Sequence, residues 1–409
     1  MFSHLERPGL PPPGWKQILA DFGPTYAANG FIGWVFSATA PLAIILAVGT
    51  RGGLSEAELA SWIFGVFFIN GLITILFCWM YRQPLAFFWT IPGTVLVGPA
   101  LAHLSFPQVI GAYHVTGLLM LVLGVSGWVR RAMQLVPMPI VMGMVAGVFL
   151  RFGLDLVRAL HADIPIAGPM VVTFLLLSAV PTLGRRLPPM IGALLVGAIA
   201  TAMLGRIDSA AFGTIELVRP VVHLPVWSWA AMIELVVPLA ITVLVVQNGQ
   251  GFAVVKSAGH TPPIDAVTVA CGVGSILGAL VGSVSTCLTG PTNAIITSSG
   301  EPSRHYTAGI FTGVLAVLFG LMAPALTRLL LNAPKAFIMT LAGLAMLRVL
   351  QAAFMVSFKD RFTLGALVSF LVTVTDMGIL NIGAAFWGLL AGFAVSRWLE
   401  RGDFAHSPH

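Results

Sequence analysis

Apolar runs of about 20 residues, the length that crosses a bilayer core as a helix, follow one another from residue 24 almost to the end of the chain. Short groups of Pro, Gly and charged residues punctuate them. Taking that punctuation as span ends predicts fourteen spans: 24–49, 58–81, 84–103, 107–128, 135–153, 166–183, 188–205, 227–254, 264–282, 285–300, 306–331, 335–356, 363–379 and 384–399. The third and tenth break the pattern, with polar residues at their centres. Ala86-Phe87-Phe88-Trp89 runs into Thr90-Ile91-Pro92, and Val284-Ser285-Thr286-Cys287 runs through Leu288 into Thr289-Gly290-Pro291-Thr292-Asn293. A Thr two residues before a Pro marks a helix start: a hydroxyl N-cap, then a proline in the first turn, where its missing N–H costs nothing. The expectation is a short extended strand entering the membrane, then a half-helix that begins inside it.

Ahead of the first span, residues 1–23 form a Pro-rich tail. In it Trp15, Ile18, Leu19 and Phe22 share one face of a short helix. An interfacial helix and an ordinary lead-in to the first span fit this pattern equally. No cleavable signal peptide is expected.

Internal similarity adds orientation. TGLLMLVLGV at 116–125 aligns with TGVLAVLFGL at 312–321, an offset of 196; APLAII at 40–45 aligns with VPLAIT at 237–242, an offset of 197. Thr90-Ile91-Pro92 aligns with Thr289-Gly290-Pro291 at 199. Ordered matches at a nearly constant offset divide the chain into two homologous halves of seven spans. Seven is odd, so the halves enter the membrane in opposite senses, as an inverted repeat. Such repeats place a binding site near the midplane, where their broken spans meet. A kink would explain one Thr-x-Pro copy; two copies at the repeat spacing favour half-helices. Two helix N-termini at one cavity offer free N–H groups and positive dipole ends, an anion site without Lys or Arg.

Composition settles the solvent. The chain is 57% hydrophobic and 9% charged, with a mean hydropathy of +0.95, against roughly 25% charged residues in soluble domains. This is an all-α polytopic membrane protein, and its +6 net charge is a topology signal, not a nucleic-acid one. Most Lys and Arg, including Arg82, Arg130, Arg131, Arg185, Arg186, Lys256, Arg304, Lys359 and Arg361, fall on the side of the N-terminus. Both termini are therefore expected in the cytoplasm. Cys78, Cys271 and Cys287 have no disulfide or metal-ligand spacing, the histidines are scattered, and no Walker or HExxH motif is present. No cofactor, metal or catalytic residue is expected, which leaves a polytopic membrane enzyme as a distant alternative.

The remaining polar residues are the candidate site. Gln247, Asn248 and Gln250 in the eighth span, with the Thr289–Asn293 start, read as cavity lining; Tyr26, Asn29, Ser37 and Thr39 in the first span form a looser set. Phe88, Trp89 and Phe252 could cover an aromatic ring or simply pack. For a coupling proton, the titratable groups in or beside spans are Glu234, Asp376 and His114. Asp155, with Arg151 four residues before it and Arg158 three after, reads as a structural ion pair. Arg348 reads as a snorkelling or carbonyl-paired arginine.

QNGQGFAVVKSAG at 247–259, VTVACGVGSILGALVGSVSTCLTGPTNAI at 267–295 and TDMGILNIGAAFWGLLAG at 375–392 resemble the benzoate:proton symporter (BenE) family, itself related to fourteen-span transporters of uracil, xanthine, sulfate and bicarbonate. The resemblance implies a core domain of spans 1–4 and 8–11 (24–128 and 227–332) and a gate domain of spans 5–7 and 12–14 (129–205 and 333–400). A connecting loop at 206–226 and a C-terminal tail at 401–409 complete the chain. It also implies alternating access, a bacterial inner membrane and a homodimer. Uracil-type relatives carry glutamates in spans 8 and 10, and the matching positions here are Gln247 and Thr292. A carboxylate would be repelled by glutamate but served by amide, hydroxyl and backbone donors. The expected substrate is a benzoate-like anion, carried with a proton; a nucleobase, sulfate or another anion is the same-fold alternative.

Overall fold

The computed structural model describes residues 5–38, 40–129, 131, 137–206, 216–298, 300–377, 379 and 384–405. Thr39, part of the 375–392 stretch and most of the connecting loop's first half lie outside the described residues. Helix α1 (Trp15–Asp21) precedes α2 (Pro24–Ala38) and α3 (Ala40–Arg51), which share the first predicted span; α4 (Glu56–Tyr81) follows. Strand β1 (Phe87–Trp89) leads into α5 (Ile91–Ala100), and α6 (Phe106–Ser126) comes next. After it come α7 (Met138–Ala162), α8 (Ile164–Ala179) and α9 (Pro189–Met203). Then come α10 (Trp229–Ser257), α11 (Ile264–Ala279), strand β2 (Thr286–Leu288) and α12 (Gly290–Ile296). The chain closes with α13 (His305–Leu321), α14 (Ala323–Leu331), α15 (Lys335–Ser357), α16 (Thr363–Thr375) and α17 (Ala384–Leu399). Among the described residues seven stretches are long and apolar enough to cross a membrane, and six shorter apolar helices accompany them.

Two boundaries differ from the sequence expectation for a physical reason. The eleventh predicted span, 306–331, is two helices, because Pro324 has no N–H with which to continue the ladder of α13. In the N-terminal segment only Ile18 and Phe22 pack inward, while Trp15 and Leu19 stay exposed, so the four residues do not share one environment.

The helices pack as two groups. Helices α7, α8, α9, α15, α16 and α17 contact one another; α2, α4, α6, α11, α12 and α13 pack around the two strands; α3, α5 and α10 run along the seam. Helix α10 is not uniformly α-helical. It widens into π-helical turns at Met232–Val236, just ahead of Pro238, and at Thr242–Asn248. Proline cannot donate to the preceding turn, and π turns recur at functional sites.

Between the two half-helices lies a two-stranded ribbon. Strands β1 and β2 pair antiparallel, Phe87 with Leu288, Phe88 with Cys287 and Trp89 with Thr286. The central pair is 199 positions apart, the offset of Thr90 and Thr289, and the flanking pairs interchange under the same shift. Thr90 N–H donates to Ser285 O (3.0 Å) and Thr289 N–H to Ala86 O (3.2 Å), extending this local two-fold symmetry by a residue at each end.

A ribbon inside an apolar protein must find partners for its outward donors. Side chains of flanking helices supply them. Thr74 Oγ1 accepts from Phe87 N–H (2.8 Å), Cys78 Sγ from Leu85 N–H (3.2 Å), Ser275 Oγ from Thr286 N–H (3.0 Å) and Asn248 Oδ1 from Leu288 N–H (2.7 Å). These neutral residues inside apolar spans are thus what lets a strand exist at that depth.

Candidate functional site

The two helix starts behave differently. Thr90 Oγ1 accepts from Gly93 N–H at 3.1 Å and donates to Thr242 Oγ1 at 3.2 Å, so it caps α5 as expected. The Thr289 side chain makes no cap bond. At that corner Asn293 does the tying: its amide donates to Thr289 O (2.6 Å) and Ala86 O (3.1 Å), and its Oδ1 accepts from Ala86 N–H (3.0 Å). The expectation of a hydroxyl cap at Thr289 is corrected: the Asn293 amide one turn later ties Thr289 to Ala86, and the Thr289 hydroxyl caps nothing.

Just beyond these corners, at the seam between the helix groups, lies a cavity of about 640 Å³. The first turns of both half-helices line it through Ile91, Pro92 and Pro291. Most of its wall is apolar, with Phe36, Met142 and Phe174 among the contributors; polar side chains come from Gln247, Gln250 and Arg348. Gln247 is buried at the end of the second π turn, and Gln250 follows in the next turn of α10. Glycine makes this arrangement possible. A Cβ on Gly290 would collide with the Gln250 side chain, and one on Gly251 would lie 2.6 Å from Leu288 O. Arg348, on α15 from the opposite group, is exposed and donates to Gln351 Oε1 at 3.1 Å.

The other expected site residues take different places. Asn248 and Asn293 spend their amides on the strand corners, and Thr292 shares a hydrogen bond with Ser37 (3.0 Å). Phe88 and Trp89 pack against Phe67, and Phe252 belongs to the second apolar cluster. Tyr26 accepts from Glu301 N–H (2.9 Å) beneath the Arg304 guanidinium, and Asn29 accepts from Ser298 Oγ (3.5 Å). None of these side chains, nor that of Thr289 or Thr90, is in the cavity lining. Arg348, read from the sequence as a snorkelling or carbonyl-paired arginine, is the lining residue not expected there; a charge inside an apolar span was the available signal.

A second polar region occupies the other ends of the same helices. On α7 the cavity touches Met138–Val145 and the second region Gly147–Asp155; on α10 the cavity begins at Val246 while the second region holds Glu234 and Leu235. This region is a crevice of about 70 Å³, lined in part by Arg51, Arg151, Asp155, Glu234 and Asp376. Glu234 is buried and lies 2.8 Å from His103 Nε2. Asp155 is bound by Arg51 (2.9 Å) and Arg158 (3.0 Å), whereas Arg151 pairs with Asp376. The helical spacing anticipated Arg158 but misassigned Arg151, which a tertiary neighbour captures. His114 bonds through Nδ1 to Ile110 O of its own helix (2.9 Å) and faces neither cavity nor crevice. Among the described residues no cluster of His, Cys, Asp and Glu could hold a metal.

Paired strands leading into half-helices, two packed helix groups and a cavity at their seam define a membrane transporter. Solved structures carry the same architecture. The transmembrane domain of the cyanobacterial bicarbonate transporter BicA superposes with a TM-score of 0.63 at 18% identity, over 89% of this chain and 96% of that one. Murine Slc26a9, an anion transporter in an inward-facing state, gives 0.61 at 14% identity, over 95% and 70%. At sequence level the profile of the benzoate membrane transport protein family, BenE, matches residues 20–398, and the chain belongs to that family. It is 28% identical to the inner membrane protein YdcO of Escherichia coli K12 (90% of this chain, 94% of the relative). It is 26% identical to the benzoate membrane transport protein of Acinetobacter baylyi (92% and 95%).

Proposed function

We propose that this protein imports benzoate or a similar aromatic monocarboxylate together with a proton, by alternating access across a bacterial inner membrane. The observation that carries the reading is the cavity: apolar walls, two amides and one guanidinium. A guanidinium pairs a carboxylate in its own plane, amide N–H groups donate to the remaining oxygens, and apolar walls accept an aromatic ring. A nucleobase would need acceptors opposite its N–H groups, and the described lining brings no carboxylate. Sulfate would gain nothing from the apolar walls.

In this reading fourteen spans form two inverted halves, a symmetry that the β1–β2 ladder supports. The group holding the strands (24–128 and 227–332) is the core that carries substrate past the gate of 129–205 and 333–400. Both termini are cytoplasmic, and the large cavity opens to that side. The protein works as a homodimer. Glu234 is the proton carrier that the surroundings favour, being buried, at the crevice and beside His103, whereas Asp376 is engaged by Arg151. The test is uptake by proteoliposomes of radiolabelled benzoate, uracil and sulfate. Benzoate alone should accumulate under an inward proton gradient, and a proton ionophore should abolish the accumulation. Uphill uptake that survives the ionophore rules out proton coupling; uptake of uracil or sulfate in place of benzoate rules out the substrate.

A further inference from the structure

We propose that Arg51 and Asp155 form a latch across the crevice opposite the large cavity, and that the carboxylate of an arriving substrate opens it by replacing Asp155 on Arg51. The proposal rests on the aromatic-carboxylate reading above. Arg51 is the last residue of α3 and Asp155 lies on α7, so their bond of 2.9 Å ties a seam helix of the core to the opposing group. The crevice that it closes, about 70 Å³, is far smaller than the 640 Å³ cavity at the other ends of the same helices. In this proposal the pair is what closes that side to an aromatic acid.

The chemistry favours exchange over simple rupture. Beside the pair lies a hollow of about 350 Å³ whose charged lining is Arg51, Arg151, Arg158 and Asp155. Three guanidinium groups against two carboxylates, Asp155 and the Asp376 paired with Arg151, leave a net positive charge that draws anions there. Arg151, Asp155 and Arg158 project from one face of α7 by their spacing, and Arg151 is held by Asp376. Asp155 bonds Arg51 through Oδ2 and Arg158 through Oδ1. Losing Arg51 therefore leaves its carboxylate still paired with Arg158. The Arg51 side chain is 55% exposed, so its bond is of the weak, water-competed kind. A substrate carboxylate offers it the same bond, and the ligand shifts the closed–open balance by its preference for the freed arginine.

The test is external labelling of the full-length protein carrying Val48→Cys with a membrane-impermeant maleimide. Val48 is buried in the crevice wall, and the native Cys78, Cys271 and Cys287 are all buried, so background is low. Labelling should be slow without ligand and about tenfold faster with saturating benzoate, within the usual range of such couplings. Adding Asp155→Asn or Arg51→Gln should give fast labelling that ignores benzoate, and the double variant should match either single one. Arg158→Gln leaves the Arg51 bond in place, so slow labelling without ligand should persist and serves as the folding control, while benzoate should speed it less because Asp155 then keeps no partner after the exchange. Parental labelling rates in Asp155→Asn would overturn the latch. Calorimetry on the same protein separates the two readings: benzoate that binds without speeding labelling overturns the exchange alone, and benzoate that does not bind overturns the substrate reading and the exchange with it.

Discussion

Replacing Gln247 with glutamate turns a donor in the cavity wall into a charge of the proposed substrate's own sign. Gln247 is 6% exposed and shares its cavity with Arg348. Two like charges about 4 Å apart, at an effective dielectric near 20, repel by roughly 4 kcal/mol, close to a thousandfold in affinity. Arg348 in the same wall and water in the cavity screen part of that, so the expected loss at neutral pH lies between about tenfold and a thousandfold. Competition by the new carboxylate for Arg348 acts in the same direction. The pH dependence then separates charge from shape. A glutamate titrates at about 4.3 when unperturbed; burial and a neighbouring anion both raise that value. Lowering the pH from about 7.5 to about 5.5 should neutralise the introduced group and restore part of the affinity, while a substrate carboxylate with a pKa near 4 stays charged. Gln247→Leu should weaken binding with no such recovery. Calorimetric dissociation constants for wild type and both variants across this range provide the assay. If Gln247→Glu binds benzoate like wild type at neutral pH, Gln247 does not touch the carboxylate.

Three further outcomes are expected. Arg348→Met removes a charge-assisted hydrogen bond of about 1.5–3 kcal/mol, so benzoate should bind roughly 10- to 150-fold more weakly with an unchanged melting temperature; unchanged affinity would take Arg348 out of the site. Thr90→Ala loses the Gly93 cap and the Thr242 bond and should cost about 1 kcal/mol, whereas Thr289→Ala should cost less because its hydroxyl caps nothing; thermal melts showing the reverse order would refute this. In the loop after α10, burial and then the neighbouring His305 push His260 down to about 4. The folded protein thus resists a proton that the unfolded chain accepts near 6.5, so stability should fall as pH drops from about 6.5 towards 4. Melting curves of His260→Gln should lack that component, and identical pH profiles would count against it.

The apolar helices were legible because a bilayer imposes length and apolarity directly on sequence. The two strand-to-helix corners were legible because Thr and Pro have few other reasons to stand together inside an apolar run, and twice at one offset. Side-chain partners were less so. Asp155 and Arg158 meet because helical spacing alone brings them together. Arg151 has the same local option but goes to Asp376, more than two hundred residues away, and nothing in the α7 sequence announces that helix α16 ends beside it.

Asn248 and Asn293 show why the site itself was only half readable. A buried amide in an apolar span suits a substrate and suits an orphaned backbone group equally well, and the residue type is the same in both cases. In a membrane interior the backbone has the prior claim, since each unpaired N–H or C=O there costs several kcal/mol. Breaking two spans creates such groups at Ala86, Leu288 and Thr289, and the asparagines are committed to them. Thr90 is committed to Gly93, and Thr292 to Ser37. In the proposed reading, ligand recognition falls to the polar side chains that line the cavity: Gln247 and Gln250 on α10, and Arg348, which reaches it from the opposing group. An anion bridging Gln247 and Arg348 would hold α10 and the opposing group together at that end, so the contacts proposed to select a carboxylate would also bear on which way the transporter faces.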